Sequence, residues 1–478
     1  MITFFAGLTL LLVGGFFYSG FCERVFSPDD RATPAYALEN GVDFLPMSEP
    51  RNALIQLLNI AGTGPILGPI LGVLFGPVAF ILIPLGNIFG GAMHDYFCGM
   101  ISMRKGGAQM PSLVKEYMGG RIFNIYNVFV CLTLFLVAAV FLYLPADLFV
   151  SQVTGKAPVV SEPLLWIVYG VIGAYYLAAS LFPIDKIIGR LYPVFGLILL
   201  LSSVGIGVGL VWRGYPLDEL NLSNWKGLYP DGQPLIPLFF VTVACGIVSG
   251  FHSTQTTLIS RTLKSEKQGR FVFYGMMTAE GVIAMIWAAA AMGIYNKGIP
   301  AQLVGTPEVV GFVAKDLLGS IGGAIAIAGV ILLPITSGDT ALRALRLIIA
   351  ENLNLDQSSK KNRLMLAFAI LTGVSALLYF AKYNGEAFAK LWRYFAWSNQ
   401  TLAVFMFTVI ALYLAERKKK IAFVVLPALF YLFVVVSYLL NAPVGFALPF
   451  DASYAGAGAA CVLYAVWMRR KTQSARGG

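Results

Sequence analysis

The sequence contains two histidines, His94 and His252, and each lies inside a long apolar run. Asp95 follows His94 directly, and Ser253 and Gln255 follow His252. Ionisable groups are costly in hydrocarbon, so those in membrane-spanning segments usually face a bundle interior or a cavity and mark a transport or proton pathway. An imidazole also changes charge near about pH 6.5. These residues therefore favour a proton relay or a substrate contact, and the alternative is a structural hydrogen bond to a neighbouring helix.

Glu280 lies in a third apolar run, within Ala279-Glu280-Gly281. At about 1.5 Å per residue from the nearest arginines, His94, His252 and Glu280 all fall near the bilayer midplane. Asp95 is turned about 100° from His94 around a helix, so the two side chains need not touch. We predict that Glu280, His94 and Asp95 take part in proton coupling.

Asp339 is a further candidate for proton coupling, in a lower position near Arg343. Their spacing of four residues could equally produce an ion pair at a helix end. The neighbouring hydroxyls of Thr336 and Ser337 are candidate sodium ligands, because hard cations prefer oxygen. Back-bonding of these hydroxyls to carbonyls of their own helix is the alternative.

Two apolar runs are interrupted by glycine and proline. The first interruption lies at Gly62-Thr63-Gly64-Pro65 and the second at residues 246–250. Proline lacks an N–H and clashes with the preceding turn of a helix, and paired broken spans mark the binding site of many secondary transporters. A half-helix that begins near Pro65 would present free N–H groups to an anionic substrate. The predicted substrate-contacting residues are Gly62, Thr63, Gly64, Ser249, Gly250, His252, Ser253 and Gln255. Close helix packing is the alternative role of the glycines.

The composition places the chain in a bilayer. Of its 478 residues, 58% are hydrophobic and 12% are charged, which excludes an ordinary soluble domain. Apolar stretches of about twenty residues recur, as membrane-spanning helices require. They predict an all-α integral membrane protein with about 13 transmembrane helices. The predicted spans are 2–21, 52–73, 75–102, 121–148, 163–182, 188–212, 234–257, 270–295, 310–337, 362–381, 390–414, 420–440 and 452–468.

The net charge of +10 reflects basic residues that are concentrated in the segments on one side of the predicted membrane. The most basic segments are 104–105, 261–270, 360–363, 417–420 and 469–471. Basic loops mark the cytoplasmic side, so we predict a multi-pass protein of the bacterial plasma membrane with its N-terminus outside and its C-terminus cytoplasmic. The lipid bilayer is thus an expected partner, and nucleic acid is not.

The broken spans lie five spans apart, and this odd spacing predicts an inverted repeat of two five-helix units. The predicted divisions are an N-terminal helix and loop (1–51), the first unit (52–212), the second unit (234–414), and two C-terminal helices with a basic tail (415–478). Spans one, twelve and thirteen are additions to the repeat.

Several segments of the sequence are similar to those of the carbon starvation (CstA) family of membrane transporters. They are residues 60–65, 91–96, 245–255, 279–281, 333–343 and 392–401. The resemblance covers nearly all of the chain, and it implies nutrient uptake under carbon limitation, with peptides and pyruvate as substrate classes and with proton coupling. It also implies kinship to the leucine-transporter type of five-plus-five fold. Where the family carries a His-His pair before the first interruption, this chain has Ile55-Gln56.

Together, these features predict a secondary active transporter that imports a small carboxylate such as pyruvate, or short peptides, with protons as the coupling ion. No enzymatic activity and no cofactor are expected. A sodium-coupled symporter is the nearest alternative. The others are a nutrient sensor and a membrane-embedded metalloenzyme that uses His94, Asp95 and His252, although no zinc-binding motif accompanies these residues.

Overall fold

A computed structural model describes the whole chain except residues 42, 157, 182–183, 228, 230–231, 300–302, 304–307, 358, 384–386 and 478. The described residues are predominantly helical, as the sequence predicts. Their main helices are α1 (Ile2–Phe26), α2 (Glu49–Ile60), α3 (Gly64–Gly72), α4 (79–104), α5 (Met110–Met118), α6 (Gly120–Thr154), α7 (Pro163–Leu181), α8 (Ile184–Trp212), α9 (Leu235–Thr242), α10 (Gly250–Ser260), α11 (Glu266–Lys297), α12 (Val309–Asn352), α13 (Lys360–Tyr383), α14 (Ala387–Glu416), α15 (Ala422–Asn441) and α16 (Phe450–Gly477).

Among the described helices, eight are long and apolar enough to cross a membrane, namely α1, α6, α8 and α11 to α15. The bent pair of α2 and α3 would make a ninth crossing. These helices confirm a multi-pass membrane protein. The count of thirteen spans, the inverted repeat and the four predicted divisions of the chain stay predictions.

The first interruption is a true break between α2 and α3, whose axes differ by 50°. Ala61 leaves the helical conformation with φ −76° and ψ 29°, and Pro65 lies in the first turn of α3. Proline suits this position because the first turn of a helix has no partner for its N–H groups. The predicted break is therefore confirmed.

The second break is longer and joins α9 to α10 through an irregular segment. Gly246 has a φ of +93°, which favours glycine, and Val248 and Ser249 are extended. Cys245, with φ −74° and ψ 138°, is also non-helical, so the irregular segment includes the residues between Val243 and Ser249. The interruption predicted around 246–250 is present, and it begins a few residues earlier than the sequence indicated.

The two breaks pack directly against each other. A Cβ atom at Gly64 would overlap the side chain of Cys245, and one at Gly246 would lie 3.9 Å from the Cα of Pro65. Only a residue without a side chain at position 64 allows the two segments to approach so closely. Helix α10 packs on α2, α4 and α14, and α11 packs on α2 and α3, so these helices surround the breaks.

Helix α12 is interrupted at Gly319, which has φ +72° and ψ −176°, and it continues well beyond the predicted span of 310–337, to Asn352. Its polar continuation persists because neighbouring elements satisfy its charged side chains. Asp339 accepts a hydrogen bond from the hydroxyl of Tyr175 at 3.1 Å, and Arg343 donates one to the carbonyl of Ala179 at 2.8 Å. The predicted span ends at residue 337 because the apolar character of the sequence ends there, whereas the helix continues.

Candidate functional site

Four ionisable side chains form a buried chain beside the breaks. Oδ1 of Asp95 lies 2.8 Å from Nδ1 of His94, and Oδ2 lies 3.0 Å from Nδ1 of His252. Nε2 of His252 in turn lies 3.7 Å from Oε2 of Glu280. All four side chains have no solvent exposure. The structure thus brings together the three groups that were expected at one depth, and Asp95 joins the two histidines.

Asp95 determines the orientation of both imidazoles. A carboxylate that meets Nδ1 favours the tautomer in which that nitrogen carries hydrogen, so Nε2 of each ring is left as an acceptor. Nε2 of His94, Nε2 of His252 and both carboxyl oxygens of Glu280 make no hydrogen bond with the described residues. The separation of 3.7 Å between His252 and Glu280 exceeds hydrogen-bonding distance. A small movement would allow one proton to be shared between His252 and Glu280.

Two members of this chain, His252 and Glu280, lie beside the breaks. The backbone of Ile60, the last residue of α2, lies near the His252 side chain. The backbone of Gly246 lies near the Glu280 carboxyl without forming a normal hydrogen bond. His252 and Glu280 therefore lie next to the broken segments.

Asn87 connects the second break to the Glu280 helix. Its amide nitrogen donates to the carbonyl of Gly246 at 3.0 Å and to that of Met277 at 2.9 Å. Asn87 begins a π-helical stretch, Asn87–Ala92, that precedes His94 in α4. Such stretches are frequent at functional sites because they turn side chains out of regular register.

Asn399 of α14 satisfies the start of α10. Its Oδ1 accepts from the N–H of Phe251 at 2.7 Å, and its Nδ2 donates to the hydroxyl of Ser249 at 2.8 Å. The adjacent Gln400 donates to the carbonyl of Phe240, in α9, at 2.5 Å. Two neighbouring amides thus hold polar backbone groups on both sides of the second break, where regular helical pairing is lost.

The sequence analysis predicts no role for Asn87, Asn399 and Gln400. The one feature that could have pointed to them is the presence of amide side chains within apolar spans. Their partners are backbone groups at least 148 residues away in sequence, so spacing along the chain could not reveal them.

The substrate-contacting residues predicted at the second break have different surroundings. The hydroxyl of Ser249 is engaged by Asn399, and Gly250 packs against the backbone of α14. The Ser253 hydroxyl donates to the carbonyl of Gly250 at 2.5 Å. The amide nitrogen of Gln255 donates to Thr254, whereas its Oε1 has no partner in the described part of the chain. His252 and Gln255 are therefore the residues here with unused polar atoms.

At the first break, Gly62 packs tightly against the ring of Phe141. The N–H groups of Ile66 and Leu67 both donate to the carbonyl of Thr63, at 3.2 and 3.0 Å. Because Pro65 has no N–H, the groups that could meet an anionic ligand belong to residues 62–64. The Thr63 hydroxyl is buried and makes no hydrogen bond with the described residues.

Asp339, Thr336 and Ser337 form a separate group on α12. The Thr336 hydroxyl donates to the carbonyl of Leu333 at 2.7 Å, and that of Ser337 to Leu58 of α2 at 3.0 Å. The Ser337 hydroxyl also lies 3.2 Å from the carbonyl of Leu333. Both residues therefore show the back-bonding alternative, and Ser337 in addition contacts the last turn of α2 before the first break. Both roles as sodium ligands stay predictions.

A buried ion pair lies at one end of the bundle. Arg104 of α4 donates to both carboxyl oxygens of Glu266, at 2.9 and 2.8 Å, and its guanidinium lies over the ring of Phe26. The N–H of Asp29 also bonds Glu266. A hydrogen bond from Arg31 holds the pKa of the Asp29 carboxyl well below its usual range. Arg104, Arg31 and other basic residues gather here, at the end predicted to be cytoplasmic.

No group of three or more histidine, cysteine, aspartate or glutamate side chains is arranged to hold a metal ion within the described ranges. The alternative of a metalloenzyme therefore gains no support from this geometry.

The sequence model of the carbon starvation protein CstA matches residues 1–226, 171–317 and 296–438. The chain belongs to this family. A membrane transporter is therefore supported, as the sequence motifs implied.

Several curated proteins are similar in sequence to this chain. An uncharacterized membrane protein of Haemophilus influenzae is 42% identical over 340 residues, which cover 62% of this chain and 92% of that protein. The peptide transporter CstA of Campylobacter jejuni is 26% identical, with 64% of this chain and 52% of the relative covered. The pyruvate/proton symporter BtsT of Escherichia coli is 27% identical, with 65% and 51% covered. The chain thus aligns with about half the length of these two transporters.

The fold is similar to that of solved transporters. A manganese transporter of Eremococcus coleocola, crystallised with an aromatic bis-isothiourea substituted compound, superposes with a TM-score of 0.57 at 12% identity, over 89% of this chain and 94% of that one. A point mutant of the same manganese transporter superposes with a TM-score of 0.58 at 11% identity. At this identity the likeness concerns the helical arrangement alone.

Proposed function

We propose that this protein is a proton-coupled secondary transporter that imports a small carboxylate nutrient, such as pyruvate, or short peptides, under carbon limitation. The observation that carries the proposal is the contact of His252 with both Asp95 and Glu280 between two broken helices. Broken helices supply binding groups at mid-membrane, and buried ionisable groups beside them can bind and release a proton. The names of two relatives, a peptide transporter and a pyruvate/proton symporter, support these substrate classes.

In this proposal the substrate lies between the breaks, with its carboxylate near the N–H groups of residues 62–64. Glu280 takes up the coupling proton, and His252 holds it in turn while Asp95 fixes the orientation of the ring. Because the four groups have no solvent exposure, the structure must move to connect them with either side.

Alternating access would arise from movement of one five-helix unit, 52–212, against the other, 234–414. We propose thirteen spans in an inverted repeat, with the N-terminus outside and the C-terminus cytoplasmic in the bacterial plasma membrane. Arg104 and Glu266 then lie at the cytoplasmic exit, where their ion pair must separate before substrate leaves.

Uptake into proteoliposomes tests this function. We expect radiolabelled pyruvate or dialanine to accumulate when the outside is more acidic than the lumen, and to stop accumulating when a protonophore is added. Accumulation that ignores the pH gradient and requires sodium would replace the proposal with sodium symport. Binding without accumulation would indicate a sensor.

A further inference from the structure

One face of α2 carries buried polar groups that the proton pathway does not use. Gln56 and Asn59 are 0% and 2% exposed, and Thr63 follows in the break with no exposure. Both polar atoms of the Gln56 amide, Oδ1 of Asn59 and the Thr63 hydroxyl make no hydrogen bond with the described residues. Burying a polar atom without a hydrogen-bond partner is unfavourable, so a cluster of such atoms indicates a place where a ligand or water supplies the partners.

The helical spacing puts these amides on a single face. Gln56 and Asn59 are three residues apart, and Asn52 precedes Gln56 by four, so all three point in similar directions. The opposite face, with Leu54 and Leu58, packs on α8 at Gly196. The polar face is therefore turned away from α8.

The contacts of α2 show that this face meets α10. The Asn52 amide donates to the carbonyl of Thr262, just beyond the end of α10, at 3.1 Å. At the other end of α2, the backbone of Ile60 meets His252. The two helices thus run antiparallel, and this register brings Gln56 and Asn59 opposite the segment 253–258.

Helix α10 presents Gln255 from that segment, one turn after His252. Oε1 of Gln255 has no partner among the described residues, and neither do the carboxyl oxygens of Glu280 on α11. Helix α11 packs on α2 as well. Side chains from α2 and from the two helices that pack on it thus leave buried polar atoms unused.

Most of the unused atoms are hydrogen-bond acceptors. They are the amide oxygens of Gln56, Asn59 and Gln255 and the two oxygens of Glu280. A keto acid offers only acceptor oxygens, so it would leave these groups unsatisfied. An ammonium group offers three donors and a positive charge. Building on the proposed transport function, we infer that Gln56, Asn59 and Gln255 bind the ammonium group of a zwitterionic substrate, an amino acid or a short peptide.

The test uses ligands that share one carbon skeleton. Alanine, lactate and pyruvate differ only in carrying an ammonium, a hydroxyl or a keto group, and N-acetylalanine blocks the amine. Each of these ligands, and dialanine, is added as a competitor to the uptake of the radiolabelled substrate by the wild-type protein in proteoliposomes. A separate assay measures how strongly each ligand stabilises the purified protein. We expect alanine or dialanine to compete and to stabilise at least about tenfold more strongly than lactate, pyruvate and N-acetylalanine, since a site built to hydrogen-bond a group rejects analogues that lack it.

Two variants assign the effect to residues. Gln56→Met and Asn59→Leu remove acceptors, so the preference for the amine should fall about tenfold while the melting temperature of the ligand-free protein is kept or raised. Gln152→Met on α6 is the matched control, because Oε1 of Gln152 is also buried without a partner among the described residues but lies outside this region. The control should keep the wild-type preference.

Equal competition by pyruvate and alanine, or an unchanged preference in both variants, would overturn the ammonium site while leaving proton-coupled transport intact. Selective stabilisation by the amines without any transport would keep the ammonium site and remove the proposed function. The two claims therefore fail by different results.

Discussion

Nδ1 of His252 lies 3.0 Å from Oδ2 of Asp95. This contact joins α10, the half-helix after the second break, to α4, which lies outside either broken span. It gives a buried carboxylate two imidazole partners, because His94 occupies the other oxygen. Movement of α10 therefore changes the surroundings of a charged group on another helix.

The substitution Asp95→Asn should destabilise the protein and change the pH dependence of uptake. It removes the carboxylate that both buried imidazoles share and turns one of its two acceptor oxygens into a donor, and removing one partner of a buried ionic contact costs about 3–5 kcal/mol. We expect a lower melting temperature in detergent than for His94→Ala, which keeps the Asp95 carboxylate and its contact with His252. An Asp95→Asn protein as stable as the wild type would show that the carboxylate does not hold this pair.

The substitution Asn399→Ala should weaken the start of α10. It leaves the N–H of Phe251 and the hydroxyl of Ser249 without their partner, at about 1–3 kcal/mol for each unsatisfied group. Thermal unfolding of the purified protein measures the loss. The control Ser437→Ala on α15 removes a buried hydroxyl that bonds only its own helix, and it should change the melting temperature much less. Equal effects of the two variants would contradict a specific role of Asn399.

The substitution Glu266→Gln should open the end of the bundle that Arg104 closes. The pair of Arg104 and Glu266 is buried, so its loss should destabilise the protein more than the loss of the exposed pair between Lys105 and Glu116. The exposed pair contributes about 0–1 kcal/mol. The test uses Ser102→Cys in a background without the five native cysteines. This cysteine should react several-fold faster with a water-soluble maleimide when Glu266→Gln is added than when Glu266 is kept. Glu116→Gln is the control at the same end.

If the pair of Arg104 and Glu266 does not act as a closure, the cysteine at position 102 will react at the same rate in both variants. Slower reaction in Glu266→Gln would argue that the ion pair favours the open form.

Replacement of sodium by choline should leave uptake unchanged. The hydroxyls of Thr336 and Ser337 donate to helix carbonyls, and proton coupling does not require them to bind a cation. Uptake measured at fixed pH in sodium and in choline buffer gives the dependence of transport on sodium. A severalfold loss in choline, together with the same loss in Ser337→Ala, would establish sodium coupling instead.

The sequence predicted both breaks because glycine and proline interrupt helices by local chemistry that needs no tertiary context. It also placed His94, His252 and Glu280 at a common depth, since the rise along a helix is constant. The contact between His94 and Asp95 was not predicted. Consecutive residues of a helix point about 100° apart, yet Nδ1 of His94 lies 2.8 Å from Oδ1 of Asp95.

Other parts of the site depend on packing between distant segments. The amide of Asn399 meets α10 across about 150 residues of sequence, and the end of α12 follows from partners on α7 rather than from its own hydropathy. The roles in proton coupling assigned to His94, Asp95 and Glu280, and the role in substrate binding assigned to His252, stay predictions.

Substrate-driven proton entry tests the central claim most directly. Proteoliposomes with a trapped pH-sensitive dye start without a pH gradient, and an inward gradient of the best-competing substrate is then applied. Wild-type protein should acidify the lumen as substrate enters. Glu280→Gln, checked for normal melting and a monodisperse size profile, should bind the same substrate without acidifying the lumen. Substrate entry through the wild type with no change in lumenal pH, or acidification that Glu280→Gln retains in full, would contradict proton coupling through the chain of Asp95, His252 and Glu280.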